Sequence, residues 1–336
     1  GKPIDMNEGM MFAFTKIGEF MLNRSEGWFF KCPNINSERD PEKLNWIMLP
    51  EGNHGLRDPK FGPVQSEQNI VQMNNGNVYC MYRTITGHPV NSYSSDGGRN
   101  WTSPEIPRYY TGLKIRNPRT CPRIWKCKNG NYLFWHHNNG IWTFNIRSSR
   151  NPAWISGGIE KNGQILWSQP EILIYEEDPE VGMSYPDLIE QNGKYWVTET
   201  NKETARTHRI DPKFFPTLWN QFDIQTVNRE GLILELSESE LKEQTYFSIP
   251  ELPRMEGFGG ITLDMRISLQ DLSAGQILLD TRNVNGRGMV VKTGKYGTIQ
   301  LTLSNGEVSS TWSSDAGLIE AYGIHQVTVI VHSGPR

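Results

Sequence analysis

This sequence predicts an all-β fold, a β-propeller followed by a β-sandwich, and three observations carry that expectation. Short aromatic and β-branched runs alternate with Gly- and Asn-rich turns, in a chain of 336 residues holding 32 Gly, 11 Trp and 12 Tyr. Three segments repeat a strand, an Asn-Gly turn and a second strand, with the glycines at 76, 130 and 193. Beyond about residue 230 the texture changes and a new series of alternating runs begins.

In chain order, Phe12-Ala13-Phe14-Thr15 and Ser25-Glu26-Gly27-Trp28-Phe29-Phe30 read as the later strands of a first blade. The three repeats follow, at 66–84, 120–136 and 184–199. A second marker tracks them: Trp46, Trp101 and Trp167 each follow a polar turn and open an outer strand that reaches a proline at 50, 104 or 170. Units of about 50 to 65 residues, each worth four strands, are blades; a barrel would repeat one hairpin with one signature. Three full blades fit between about residues 15 and 230, so the propeller is expected to be incomplete in this chain. The turn Ser94-Ser95-Asp96-Gly97-Gly98-Arg99-Asn100-Trp101 suits a tight hairpin. There Asp96 accepts backbone N–H groups, the glycines take positive φ and Trp101 fills the layer beneath, a structural role rather than an acid's.

The expected domains are a propeller over 1–230, a linker over 231–250 and a sandwich, truncated, over 251–336. The acidic run 230–243 fits a link or a short helix. Strands are expected at 261–267, 275–280, 288–292, 297–303 and 325–331, where alternation is regular.

A formal net charge of −3 gives no electrostatic footprint for nucleic acid, and no apolar run is long enough to span a membrane. Cys32, Cys80, Cys121 and Cys127 match no metal spacing and read as buried thiols. No metal or cofactor is expected. The oligomeric state stays open.

In a propeller, the first strand of each blade begins on the face where the second strand ends, so functional residues gather at those points. First-strand starts contribute Glu67, Arg119, Thr120, Tyr185 and Asp187; second-strand ends contribute Thr15, Lys16, Arg83, Thr84, His136, His137, Glu199, Asn201 and Lys202. Arg83, Arg116 and Arg119 suit a bidentate clamp on a carboxylate or sulfate. Glu67, Asp187 and Glu199 are acid and base candidates, and Tyr185 is a candidate nucleophile. His136, His137 and Lys202 are candidate sugar contacts. Plainer readings stand beside these: an Arg83–Glu67 ion pair across the hairpin, Asp187 capping a turn after Pro186, and histidines satisfied in a core. Trp135, Trp142, Trp154 and Trp196 suit sugar stacking or blade cores, and His208 beside Arg206 suits the rim.

The 94–101 turn reads S-x-D-x-G-x-x-W and resembles the Asp box of the sialidase (neuraminidase) superfamily. Met183-Ser184-Tyr185-Pro186-Asp187-Leu188 with Thr198-Glu199-Thr200-Asn201-Lys202 resembles bacterial members of it. The resemblance covers residues 1 to about 230. It implies a six-bladed sialidase-type propeller and, in active members, retaining exo-hydrolysis of acidic sugars by an arginine triad, a Tyr–Glu pair and an Asp acid. A single Asp box and no Arg-Ile-Pro run depart from the pattern, which points to another acidic or deoxy sugar. The C-terminal strands, with Trp312-Ser313-Ser314-Asp315-Ala316-Gly317, resemble a laminin-G or concanavalin-like jelly roll. The expected protein is a secreted or periplasmic glycoside hydrolase removing a terminal sugar from a glycan. A polysaccharide lyase on a related propeller and a non-catalytic carbohydrate-binding propeller are the rival readings.

Overall fold

The computed structural model describes residues 2–140, 148–176, 178, 181–223, 234–237, 239–240 and 260–332. Most of the expected linker, and Trp142, lie outside them. The chain divides into two compact units, Gly1–Phe258 with Gly334–Arg336, and Gly259–Ser333.

Among the described residues the first unit is built from four antiparallel sheets in chain order. The first holds β1 (Ile4–Asp5), β2 (Met10–Lys16), β3 (Glu26–Cys32) and β4 (Ile47–Leu49). This blade has all four strands, although its first is two residues long and left no periodic mark in the sequence. The second holds β5 (Ser66–Gln72), β6 (Val78–Arg83) and β7 (Val90–Ser94), extended by the Asn91–Glu105 bridge. The third holds β8 (Arg123–Lys126), β9 (Tyr132–His136) and β10 (Ala153–Lys161). Both β11 (Gln164–Trp167) and β12 (Glu171–Ile174) pair with β10, as one outer strand broken at Ser168. The fourth holds β13 (Ser184–Gln191), β14 (Lys194–Thr200) and β15 (Ala205–Ile210), followed by the short helix α1 (Phe214–Trp219). The all-β class and a blade-built, incomplete propeller are therefore what the chain forms.

The Asn-Gly turns join first to second strands in the last three blades. Gly76 and Gly130 take φ of 88° and 84°, a conformation that glycine adopts without a Cβ penalty. Asn192 and Gly193 both have positive φ between the paired Gln191 and Lys194, the two-residue turn whose twist matches its strands. Asp96 Oδ1 accepts the Asn100 N–H at 2.9 Å, and Trp101 stacks on Phe29 with ring centroids 4.7 Å apart.

Each blade packs face to face on the next. On β6, Val78, Cys80 and Tyr82 enter a core shared with Met11, Phe29 and Leu49 of the first blade. Tyr79 and Met81 enter the next core with Phe134 and Trp167. Leu133 and Trp135 of β9 meet Tyr195 and Val197 of β14 in the third. A strand buried on both faces needs an unbroken apolar run, as β6 and β9 have, whereas β2 and β14 alternate between buried and half-buried positions. The first strands of successive blades touch, β1 to β5, β5 to β8 and β8 to β13, and so line a common axis.

The second unit has two antiparallel sheets. One pairs β16 (Gly260–Ser268) with β21 (Ile324–His332); the other runs β17 (Ile277–Asp280), β18 (Arg287–Thr293), β19 (Ile299–Asn305) and β20 (Ser309–Ser313). Leu263 and Met265 of the first sheet meet Met289, Val291 and Leu301 of the second in one core. β20 was not expected as a strand; every one of its residues is exposed, so it carries little apolar signal. No helix among the described residues is long and apolar enough to cross a membrane.

Candidate functional site

The first residues of the inner strands build the site. β5 and β13 each break register at their start, between Ser66 and Asn69 and between Ser184 and Asp187. The residue after each serine is left-handed: Glu67 at φ 57° and Tyr185 at φ 49°. Such a conformation is uncommon for residues with a Cβ and persists only where surroundings impose it.

What imposes it begins with two arginines. Arg83 at the end of β6 donates through Nε to Ser66 Oγ at 3.1 Å and pairs with Glu67 Oε1 at 3.1 Å. Arg150 donates to Ser184 Oγ at 2.6 Å. Each bulge thus has a guanidinium on the serine that precedes its left-handed residue. Arg150 also lies within electrostatic reach of Tyr185, Glu67, Arg83 and Cys121. Burial holds its guanidinium below the ordinary value, while Tyr185 and Glu67 draw it back up. Arg150 Nε and Glu67 Oε2 are buried without hydrogen-bond partners. Tyr185 is 49 % exposed, so the cluster opens to solvent at the axial mouth.

One step deeper, the equivalent positions of the three repeats hold Asn69, Arg123 and Asp187. Arg123 donates to Asn69 Oδ1 at 2.6 Å, and its other terminal nitrogen lies 3.9 Å from Asp187. Asp187 also accepts from Trp125 Nε1 at 3.3 Å and pairs with Lys2 at 2.8 Å. Burial raises the Asp187 carboxyl, but the Lys2 ammonium, the Leu188 N–H and Arg123 outweigh it and hold it below its ordinary value. Asp187 is therefore an ionised, paired carboxylate. Mouth and second tier together carry Lys2, Arg83, Arg123 and Arg150 against Glu67 and Asp187, an excess of positive charge suited to an anionic group.

The other expected residues lie elsewhere. Glu199 is 2 % exposed; its Oε1 accepts from Arg206 Nε at 2.5 Å and lies 3.2 Å from His208 Nε2, while Arg206 also pairs with Glu176. These contacts run from β14 to β15 and the end of the third blade, not to Tyr185. His136 stacks on Phe134 at 4.6 Å, and its Nδ1 accepts the Asn138 N–H. His137 Nδ1 lies 3.3 Å from the Pro152 carbonyl, an acceptor only, so Nδ1 carries the hydrogen and Nε2 presents a buried lone pair. Burial brings both imidazoles down to about 3, so both are neutral. Arg116 is exposed and Arg119 half-buried on the segment entering β8, and Lys202 is exposed in the turn between β14 and β15. Trp135 and Trp154 are spent in the cores, 0 % and 1 % exposed.

The four cysteines are free. Cys121 faces the cluster, but burial pushes its thiol up to about 12, which leaves no thiolate for nucleophilic work. No cluster of metal-ligating side chains occurs among the described residues.

Arg150, Asn69 and Arg123 escaped the sequence reading. Third strands begin on the face where second strands end, and Arg150 sits just before β10; applying that rule to third strands finds it, and Arg206 on β15 as well. Asn69 and Arg123 occupy the repeat position of Asp187, where three different polar side chains mark a tier that structure alone does not require.

A BNR repeat-like domain matches residues 50–197. No curated protein matches the chain. Among solved structures it is similar to a NanB sialidase from Streptococcus pneumoniae (15 % identity, 62 % of this chain and 28 % of that one, TM-score 0.40). It is similar also to an intramolecular trans-sialidase from Ruminococcus gnavus (15 % identity, 63 % and 43 %, TM-score 0.42). A third is an exo-1,5-α-L-arabinanase from a bovine ruminal metagenomic library (11 % identity, 62 % and 72 %, TM-score 0.39). The chain spans less than half the length of the first two. Over residues 50–197 it is thus similar to BNR repeat-like domains, on an all-β, blade-built frame.

Proposed function

We propose that this chain is the carbohydrate-active part of a secreted or periplasmic glycoside hydrolase that removes a terminal acidic sugar from a glycan. The observation that carries the reading is the mouth cluster: Glu67 and Tyr185 in imposed left-handed conformations beside Arg83 and Arg150. Hydrolysis needs one group to attack or to take a proton from the attacking atom, and another to return a proton to the leaving oxygen. Tyr185 and Glu67 are the two such groups opening on the mouth. Arg150, with a free Nε, and Arg83 supply planar donors for a carboxylate or sulfate. Asp187, ionised and paired, and Glu199, held by Arg206 and His208, fit electrostatic support better than proton donation. Arg116, Arg119 and Lys202 remain candidate contacts for the rest of the glycan; His136 and His137, 0 % and 1 % exposed, serve the blade interior instead.

The lyase reading draws on the same Tyr185–Arg150 neighbourhood, in which a tyrosine that has given up its own proton beside a cation, acting as phenolate, takes the proton α to a uronate carboxylate. One assay separates the two. Reducing-sugar release and ultraviolet absorbance are followed together on sialosides and on uronate-rich and rhamnose-rich polysaccharides. New reducing ends without absorbance are expected, with Glu67→Gln and Tyr185→Phe each slowing release about 100-fold or more. Arg150→Met is expected to raise KM about tenfold or more on acidic substrates. Absorbance rising with the new ends makes the protein a lyase; binding without either signal makes it a recognition module.

A further inference from the structure

Beneath Glu67 the chain holds an arrangement that neither hydrolysis nor the blade repeat requires. The Asn69 side chain, 2 % exposed, makes three short bonds in one direction-setting pattern, beside a longer Nδ2 contact of 3.6 Å to Cys121 Sγ. Its Nδ2 donates to the Glu67 carbonyl at 2.8 Å and to the Pro122 carbonyl at 2.7 Å. Its Oδ1 accepts from Arg123 at 2.6 Å, which fixes which way round the amide sits. Above it, the Glu67 N–H donates to Thr15 Oγ1 at 2.9 Å. Both backbone polar groups of the left-handed residue are thus held by side chains rather than by the strand ladder: the N–H by Thr15 of the first blade, the carbonyl by Asn69 two residues along the same strand, across the register break. Arg123 comes from the third blade and is itself held opposite Asp187 of the fourth.

We propose that Asn69 and Arg123 are positioning residues for the left-handed pose of Glu67: Asn69 pins its carbonyl, Arg123 pins Asn69, and Asp187 serves as the counter-charge that keeps Arg123 in place. This rests on the reading of Glu67 as a reacting group, and it extends that reading to side chains that do not touch substrate. It also gives the polar second tier a role, since three blades meet through it under a single strained residue.

The test uses two variants of the full chain and two readouts, one of which needs no substrate. Asn69→Asp keeps the shape and the acceptor for Arg123 but removes the donor to Glu67; Arg123→Met keeps Asn69 and removes what orients it. Hydrogen exchange across residues 64–72 is expected to quicken about tenfold or more in both, with exchange in β9 and β14 unchanged. On a turned-over glycan, kcat is expected to fall about 10- to 100-fold with KM within about twofold, the pattern of a displaced reacting group rather than a lost contact. Glu67→Gln is expected to lose turnover while exchanging like the parent. Parent-like exchange in Asn69→Asp overturns the positioning role. Quickened exchange in a protein that turns over no glycan keeps the positioning role and overturns the hydrolase reading instead.

Discussion

His136 and His137 stand at the end of β9 in a region where neither ring is more than 1 % exposed; burial brings both imidazoles down to about 3, helped at His137 by the neighbouring Arg150 charge. An unfolded chain has no such burial, so there the same rings titrate near 6.5. As pH falls below that value the unfolded state takes up protons that the folded state refuses, and stability is lost. The loss amounts to about 2 kcal/mol per histidine at pH 5. Melting is therefore expected to drop between pH 7 and pH 5, and His136→Gln or His137→Asn is expected to flatten the dependence. Thermal melts at the two pH values decide it; a parent protein that melts alike at both has histidines that titrate normally. The same burial explains what the sequence hid. A histidine pair at the end of a strand is legible as polar, but the carbonyl of Pro152 that sets the tautomer of His137 belongs to a loop 15 residues away.

Elements whose geometry is local were legible. Asn75-Gly76, Asn129-Gly130 and Asn192-Gly193 close hairpins because glycine takes the positive φ each turn requires. Asn162-Gly163, with φ of 53° and 77°, closes another between β10 and β11, by chemistry present in the sequence but outside the repeat that drew attention to the others. The register breaks at Glu67 and Tyr185 were not legible, since each is held by an arginine distant in sequence, Arg83 at the end of β6 and Arg150 just before β10. Nor was the packing of α1. A Cβ on Gly157 of β10 would lie 2.8 Å from Leu218 Cβ and 3.0 Å from the Leu218 carbonyl carbon, so the helix lies on the strand only because no side chain intervenes. Trp219 Nε1, donating to the Tyr132 carbonyl at 2.7 Å, holds the helix there. Gly157→Ala is expected to cost about 1–3 kcal/mol through overpacking, seen as a melting point several degrees lower. An unchanged melting point would show that α1 is free to shift away.

At the scale of the first unit, the blades are held by two kinds of contact that differ in how they respond to pH. Apolar cores between neighbouring blades do not titrate, and their residues were legible as the unbroken runs of the second strands β6 and β9. Contacts across the axis do titrate, and sequence separation hid them. Lys2 and Asp187 are 185 positions apart, yet they join the segment before the first blade to the inner strand of the fourth at 2.8 Å. Both side chains keep solvent, 56 % and 39 % exposed, so the pair is worth no more than about 1 kcal/mol. Its sign follows from the lowered Asp187 carboxyl: the contribution is present above the ordinary carboxylate value and lost as pH falls through the depressed one. Asp187→Asn, which keeps an acceptor for Trp125, is therefore expected to melt slightly below the parent at pH 7 and level with it only once pH has fallen through the depressed carboxyl value, where the parent's carboxylate is protonated too. Urea titrations at the two pH values measure the difference. Equal stability at pH 7 would mean that the cross-axis pair contributes nothing and that the apolar cores between successive blades hold the unit without it.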